Sequence, residues 1–202
     1  MVLNLLIFMI PSLVISWNES LYQLLALQGY FVFIKEDYYR LISSMFLHNN
    51  EIHLLMNMLS LFMVGRMLEQ NISKLSYLSI YFISGVSGSL LYIYFNPFSV
   101  AVGASGAIFG LFGALAGFIF VHRNRMRKKF IQFMRDFGII LVINFFIGLV
   151  FPSIAMSAHV GGLIIGLIGG VIVAYHSLFI WFYIFSSIAF FLGSIQYFIK
   201  LY

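Results

Sequence analysis

The chain has 202 residues, 62% of them hydrophobic and only 8% charged, with a mean hydropathy of +1.04. A soluble domain usually carries about 25% charge, so an ordinary water-soluble globule is excluded and the bilayer is the expected solvent. Cysteine is absent, which removes disulfides and thiolate metal sites.

Lipid offers the backbone no hydrogen-bond partners, so spanning segments are helices or closed barrels. The apolar runs here are long and unbroken, unlike the roughly 10-residue alternation of a barrel strand. The expected fold class is therefore all-α, a polytopic transmembrane helical bundle forming a single domain over 1–202. In chain order, seven segments approach the roughly 20 residues needed to cross. The first is about 2–17, with Pro11 as a kink. It has no basic n-region and no A-x-A site, so it reads as a retained helix and not a signal peptide. A connector over about 18–50 mixes aromatics with Glu19, Lys35, Glu36, Asp37 and Arg40 and suits short interfacial helices. Spans two to seven follow at about 51–68, 75–95, 105–121, 136–151, 157–175 and 178–199.

Basic residues set the orientation. If spans one, three, five and seven end on the outer side, the inner side holds Arg66, Lys74, Arg123, Arg125, Arg127, Lys128, Lys129 and Arg135. The outer side then holds only Lys35, Arg40 and Lys200. The positive-inside rule places the N-terminus in the cytoplasm and the 18–50 connector outside, as expected for a bacterial plasma membrane protein. The run "HRNRMRKK" thus reads as a topology anchor, and nucleic acid is not an expected partner.

Polar side chains at membrane depth are costly and mark function by default. His53 and Asn57 lie in span two, Ser105 at the head of span four and His159 near the head of span six. All three helices begin on the outer side, so these groups share a depth. His53 and Asn57, four residues apart, share a helix face; such a pair serves either interhelical hydrogen bonding or chemistry. Gly106, Gly110, Gly113 and Gly117 form one small-residue stripe and Gly162, Gly166 and Gly170 another. Stripes of this kind let two backbones approach closely. If they face each other, Ser105 and His159 meet at one level; otherwise each packs on a different helix.

A serine hydroxyl becomes a nucleophile when a base takes its proton, and a histidine in reach does that and then protonates the leaving amine. The first-turn N–H groups after Ser105 and the helix dipole favour a developing oxyanion, with His53 and Asn57 as further donors. The six acids are Glu19, Glu36, Asp37, Glu51, Glu69 and Asp136, and none falls at this depth, so a dyad is expected instead of a triad. There is no H-E-x-x-H and no pair of intramembrane aspartates, which argues against zinc and aspartyl chemistry. No metal or cofactor is expected. Ser43, Ser44, His48, Asn49, Asn50 and Glu51 lead up to His53, either as a wet route to the site or as an ordinary solvated helix start. His122 and His176, at inner span ends, suit the interface.

At these residues, over about 39–170, the chain resembles the rhomboid intramembrane serine proteases. "HNNEIHLLMN" is similar to the family's H-x-x-x-x-H-x-x-x-N helix, "GASGAIFG" to its G-x-S-G nucleophile motif, "AHVGGLIIG" to its A-H-x-x-G-x-x-x-G helix and "GRMLE" to its G-x-x-x-E segment. The resemblance implies Ser105 as nucleophile and His159 as general base, with an oxyanion hole of His53, Asn57 and the Ser105 backbone N–H. It implies that Gly103 and Gly106 support the serine, that Phe109 packs on the histidine ring, and that Glu69 is structural. The connector corresponds to a membrane-dipping first loop in which Tyr39-Arg40 replaces Trp-Arg. A six-helix core (about 1–176) plus an added seventh helix (about 178–199) is implied, with span five as a candidate lateral gate. The expected activity is hydrolysis of peptide bonds in or near transmembrane segments of membrane-protein substrates. The alternatives are a catalytically silent relative that binds or triages membrane clients, and a transporter or channel, which would need a continuous polar route that the inner half lacks. No oligomeric state is specified.

Overall fold

The computed structural model describes residues 1–12, 15–125 and 155–201, with isolated positions between 126 and 154. The predicted fifth span over 136–151, its gate role, and Arg127 and Lys129 of the basic run lie outside the described residues. Among the described residues the architecture is all-helical, with one isolated β-bridge between Leu27 and Ala101.

The described parts of the first predicted span and of the connector's start are helical: α1, Val2–Ser12, and α2, Ile15–Leu25. Pro11, whose missing N–H removes a helical hydrogen bond, lies within α1.

Short helices α3, Gly29–Phe33, and α4, Arg40–Ser43, then a 3₁₀ turn at Ser44–Phe46, make up the rest of the connector. Arg40 is its hub and is only 4% exposed. Its Nε donates to Asp37 Oδ2, and its Nη1 donates to the carbonyls of Gln23 and Ala26, all at 2.9 Å. The guanidinium also lies 4.3 Å from the centre of the Phe31 ring. A buried cation survives when paired and hydrogen-bonded, and a planar fork suits several acceptors at once.

Helix α5, Glu51–Glu69, starts at Asn50, whose side chain accepts from the His53 N–H at 2.8 Å, an N-cap that satisfies an otherwise orphan donor. Helix α6, Lys74–Phe95, is capped in the same way by Ser73, which accepts from the Ser76 N–H at 3.1 Å. Helix α7, Ser105–Val121, has 17 residues and is buried on nearly every side, as a helix that is apolar all round should be. Helices α8, Met156–Tyr175, and α9, Ile180–Leu201, complete the set. Among the described residues, four segments are long and apolar enough to cross a membrane by length and composition: 51–69, 74–95, 156–175 and 177–200. The C-terminal helix is tied at both ends. Tyr183 donates to the Ile165 carbonyl at 3.2 Å, and Phe198 stacks on Phe33 of the connector with centroids 4.5 Å apart.

The centre of the bundle is the α7–α8 pair. The two helices run parallel, and their glycine stripes face each other. A methyl group on Gly162, Gly166 or Gly170 would press into the carbonyl of Gly106, Gly110 or Ala114 respectively. On the other helix, Gly113 and Gly117 lie against the carbonyls of Leu163 and Leu167.

Gly166→Ala should therefore destabilise the protein by about 2 kcal/mol, as overpacking against a rigid backbone does. Gly193→Ala, where an added methyl meets nothing within 4 Å, should be neutral or stabilising by up to about 1 kcal/mol. Unfolding in mixed micelles followed by circular dichroism compares the two; equal effects would contradict the glycine contact.

Candidate active site

Ser105 is the first residue of α7 and His159 lies in the first turn of α8. Because the two helices are parallel and in close register, both side chains stand at the same end. Ser105 Oγ and His159 Nε2 are 2.8 Å apart, a hydrogen bond. His159 is 6% exposed. Its ring stacks on Phe109, one turn after Ser105, with centroids 4.3 Å apart and planes 7° from parallel. Its Nδ1 has no hydrogen-bond partner among the described residues. With Nε2 as acceptor of the serine proton, the ring proton resides on Nδ1.

Helix α7 begins at Ala104 without a side-chain cap. Its first-turn N–H groups lack intrahelical acceptors by geometry, and the helix dipole directs partial positive charge at the serine end. Beside this end stand His53 and Asn57 of α5. Gly103 has φ +127°, and a methyl group on it would come within 2.8 Å of His53 Cε1 and 3.9 Å of Asn57 Nδ2. The segment before Ser105 thus runs directly against the two α5 side chains. Asn57 is buried and donates to the His53 carbonyl at 3.1 Å, which leaves its second amide proton for another acceptor.

Seven residues singled out in the sequence thus converge: Ser105, His159, Phe109 and Gly106 on the α7–α8 pair, and His53, Asn57 and Gly103 beside them. Gly106 differs from the other glycines of its stripe. A methyl there finds its nearest neighbour, the Ala158 carbonyl, at 3.5 Å, an ordinary contact, whereas the facing Gly162 has no room. Glu69 lies at the far end of α5, away from this cluster.

The polar stretch before His53 divides. Asn49, Asn50 and Glu51 are exposed, with Asn50 acting as the helix cap, while Ser44 and His48 are buried. The His48 ring contacts His53 edge-on with centroids 5.1 Å apart. Burial, and secondarily the His53 neighbour, pushes His48 down to about 4, so the ring is neutral. Two contributors were not apparent from the sequence. The Ser44 carbonyl accepts from the Gly103 N–H at 2.9 Å, and the Tyr22 hydroxyl donates to the His48 carbonyl. Both are nonlocal bonds to a backbone carbonyl, one from a backbone N–H and one from a side-chain hydroxyl, and leave no periodic signature. Leu27 and Ala101 exchange backbone hydrogen bonds of 3.0 and 2.9 Å, and the Gly29 N–H donates to the Pro97 carbonyl at 3.0 Å. The connector is therefore strapped to the loop that delivers Ser105. A small cavity of about 30 Å³ lies at Ser105, lined by Gly103, Ala155 and Ala158 among others. It has room for a water molecule.

A helical bundle of this apolarity, with a serine hydroxyl hydrogen-bonded to an imidazole at the head of two glycine-faced helices, defines an integral membrane protein with a candidate serine–histidine site. A family model of the Rhomboid domain matches residues 35–176, and the chain belongs to the rhomboid family. It is 40% identical over 128 residues to RHOMBOID-like protein 6, mitochondrial, of Arabidopsis thaliana, covering 63% of this chain and 41% of that one. It is 36% identical over 134 residues to Rhomboid protease GluP of Bacillus subtilis, covering 64% and 25%. Rhomboid-like protease 5 of Toxoplasma gondii is 35% identical over 135 residues, covering 66% and 16%. The chain thus spans less than half the length of these curated relatives.

Gly103→Ala should cost about 1–3 kcal/mol, because the left-handed φ strains any side-chain-bearing residue and the methyl meets the His53 ring. Gly106→Ala should be tolerated. Thermal unfolding of both variants tests this, and a Gly103→Ala protein as stable as Gly106→Ala would contradict it.

Proposed function

We propose that the protein is an intramembrane serine endopeptidase that hydrolyses peptide bonds in or near transmembrane segments of other membrane proteins. The observation that carries this reading is the 2.8 Å contact between Ser105 Oγ and His159 Nε2 at an uncapped helix start. Ser105 Oγ attacks the scissile carbonyl while His159 Nε2 takes its proton. The tetrahedral oxyanion is held by the Ser105 backbone N–H and by His53 and Asn57. His159 then gives its proton to the departing amine, and water, activated by the same imidazole, releases the acyl group. Gly103 and Gly106 keep the approach to the serine open, and Phe109 orients the imidazole.

A substrate helix hides its carbonyls in its own hydrogen bonds, so it must unwind locally, which Gly or Pro near the cut site makes easier. The small cavity lined by Gly103, Ala155 and Ala158 suits a small side chain next to the scissile bond. The distribution of Lys and Arg supports a cytoplasmic N-terminus, with the site opening to the extracytoplasmic side of a plasma membrane. Two of the compared relatives are named as proteases, which supports catalysis over a silent client-binding role.

Purified protein in liposomes with a transmembrane peptide should cleave it, and Ser105→Ala and His159→Ala should each abolish cleavage and fluorophosphonate labelling. Asn57→Ala should lower kcat by about 10²–10³ with the fold intact, as loss of one oxyanion donor does. Cleavage that survives Ser105→Ala would overturn the mechanism. A peptide bound and never cut would favour the client-binding role.

A further inference from the structure

At the end of the bundle away from Ser105, α1, α5 and α6 enclose a cavity of about 530 Å³, within the size range of small-molecule sites. Its position follows from its walls. Gly65, Arg66 and Glu69 come from the last turns of α5, and Tyr77, Leu78 and Tyr81 from the first turns of α6. The cavity reaches from Glu69 up to Leu61 and Phe46. Eight helical residues rise about 12 Å, close to half of the ~30 Å hydrocarbon core. The space therefore has the height of one leaflet.

Its polar groups are unevenly placed. Arg66 and Glu69 stand exposed at the mouth, and no ion pair joins them; Arg66 lies over the Phe62 ring at 5.8 Å. One turn into α1, Asn4 lines the cavity, is 2% exposed, and its Nδ2 has no hydrogen-bond partner among the described residues. A buried amide donor without a partner is costly and rare. The rest of the wall is mostly apolar, with Leu61, Phe62, Phe82 and Phe46 beside the rings of Tyr77 and Tyr81.

We propose that this cavity is a binding site for one phospholipid of the leaflet opposite Ser105, with a headgroup bearing both a phosphate and a primary ammonium. Arg66 holds the phosphate, and Glu69 accepts hydrogen bonds from the ammonium. Asn4 Nδ2, about one helical turn deeper than the mouth, donates to an ester carbonyl of the glycerol backbone. One acyl chain fills the apolar shaft toward Phe46. The charge pattern selects this headgroup. A purely anionic lipid leaves the Glu69 carboxylate facing like charge. A trimethylated amine has no N–H to give it. Charge-assisted hydrogen bonds are the strong ones, so the discrimination is expected to be measurable.

The full chain in liposomes with a phosphatidylethanolamine probe carrying a photoactivatable diazirine on its acyl chain provides the test. Adducts should concentrate on Leu61, Phe62, Leu78 and Phe82 over the exposed Ile164, Leu167 and Ile168 of α8. Unlabelled phosphatidylethanolamine should compete about tenfold better than phosphatidylcholine or phosphatidylglycerol of equal chain length. Arg66→Gln and Asn4→Leu should each lower the adduct yield about tenfold. Leu78→Trp, which fills the cavity from an exposed position, should abolish it, and circular dichroism melts confirm that each variant is folded. Even labelling of the α8 face, equal competition by phosphatidylcholine, or unchanged yield in folded Arg66→Gln and Leu78→Trp would overturn the proposal. None of these readouts depends on peptidase activity.

Discussion

Everything at the serine end depends on how closely the α7 and α8 backbones approach. Lipid tails are as apolar as leucine, so burying hydrophobic surface gives two membrane helices little reason to associate; packing and weak polar contacts must do it. Here Gly162, Gly166 and Gly170 each lie against a carbonyl of α7, at Gly106, Gly110 and Ala114. The same separation of 56 positions holds at all three contacts, so the helices are parallel and locked in one register over two turns. Close glycine–carbonyl approaches of this kind also allow Cα–H···O contacts. A slip of one turn would move the His159 ring about 5.4 Å along the axis and break a 2.8 Å hydrogen bond. The glycine contact is therefore a positioning device as well as a packing one.

A second constraint comes from the connector. Irregular backbone at membrane depth is tolerated only where its polar groups are satisfied by protein or water. The 26–46 stretch meets that demand with Arg40, which ties the carbonyls of Gln23 and Ala26 to Asp37, and with the Leu27–Ala101 and Gly29–Pro97 backbone pairs. The same bonds hold the loop before Ser105. The Ser44 carbonyl fixes the Gly103 N–H, Gly103 takes its left-handed φ, and that conformation brings the loop against His53 and Asn57.

These two constraints differed in how far they could be read from sequence. The glycine stripes recur at helical spacing, and a periodic pattern announces both a face and a register. Ser105 and His159 could be aligned before any coordinates because each sits a fixed number of residues from its stripe. The roles of Ser44 and Tyr22 were illegible. Ser44 acts through its own backbone carbonyl, which constrains no residue type, and the Tyr22 hydroxyl reaches the His48 carbonyl across 26 positions, a separation that no local spacing reveals. The difference between Gly106 and Gly162 is of the same kind, because it depends on the offset of two helices and not on either sequence alone.

Among the described residues no carboxylate partners His159, and the solvent supplies a reason. In water-soluble serine hydrolases a buried acid fixes the imidazole and stabilises its charged form. At the centre of a membrane helix an aspartate costs about 2.5–3.5 kcal/mol on insertion scales, and its desolvation can exceed what its pairing returns. Phe109 offers a cheaper way to fix the ring. A parallel stack at 4.3 Å contributes about 0.5–1.5 kcal/mol without burying a charge. It restrains the plane of the imidazole while leaving Nδ1 unpartnered. For the proposed dyad this exchanges electrostatic support of the imidazolium for a lower cost of building the site in lipid. In the proposed mechanism, stabilisation of developing charge falls on the oxyanion side, in keeping with the convergence of His53, Asn57 and an uncapped helix start on a single serine.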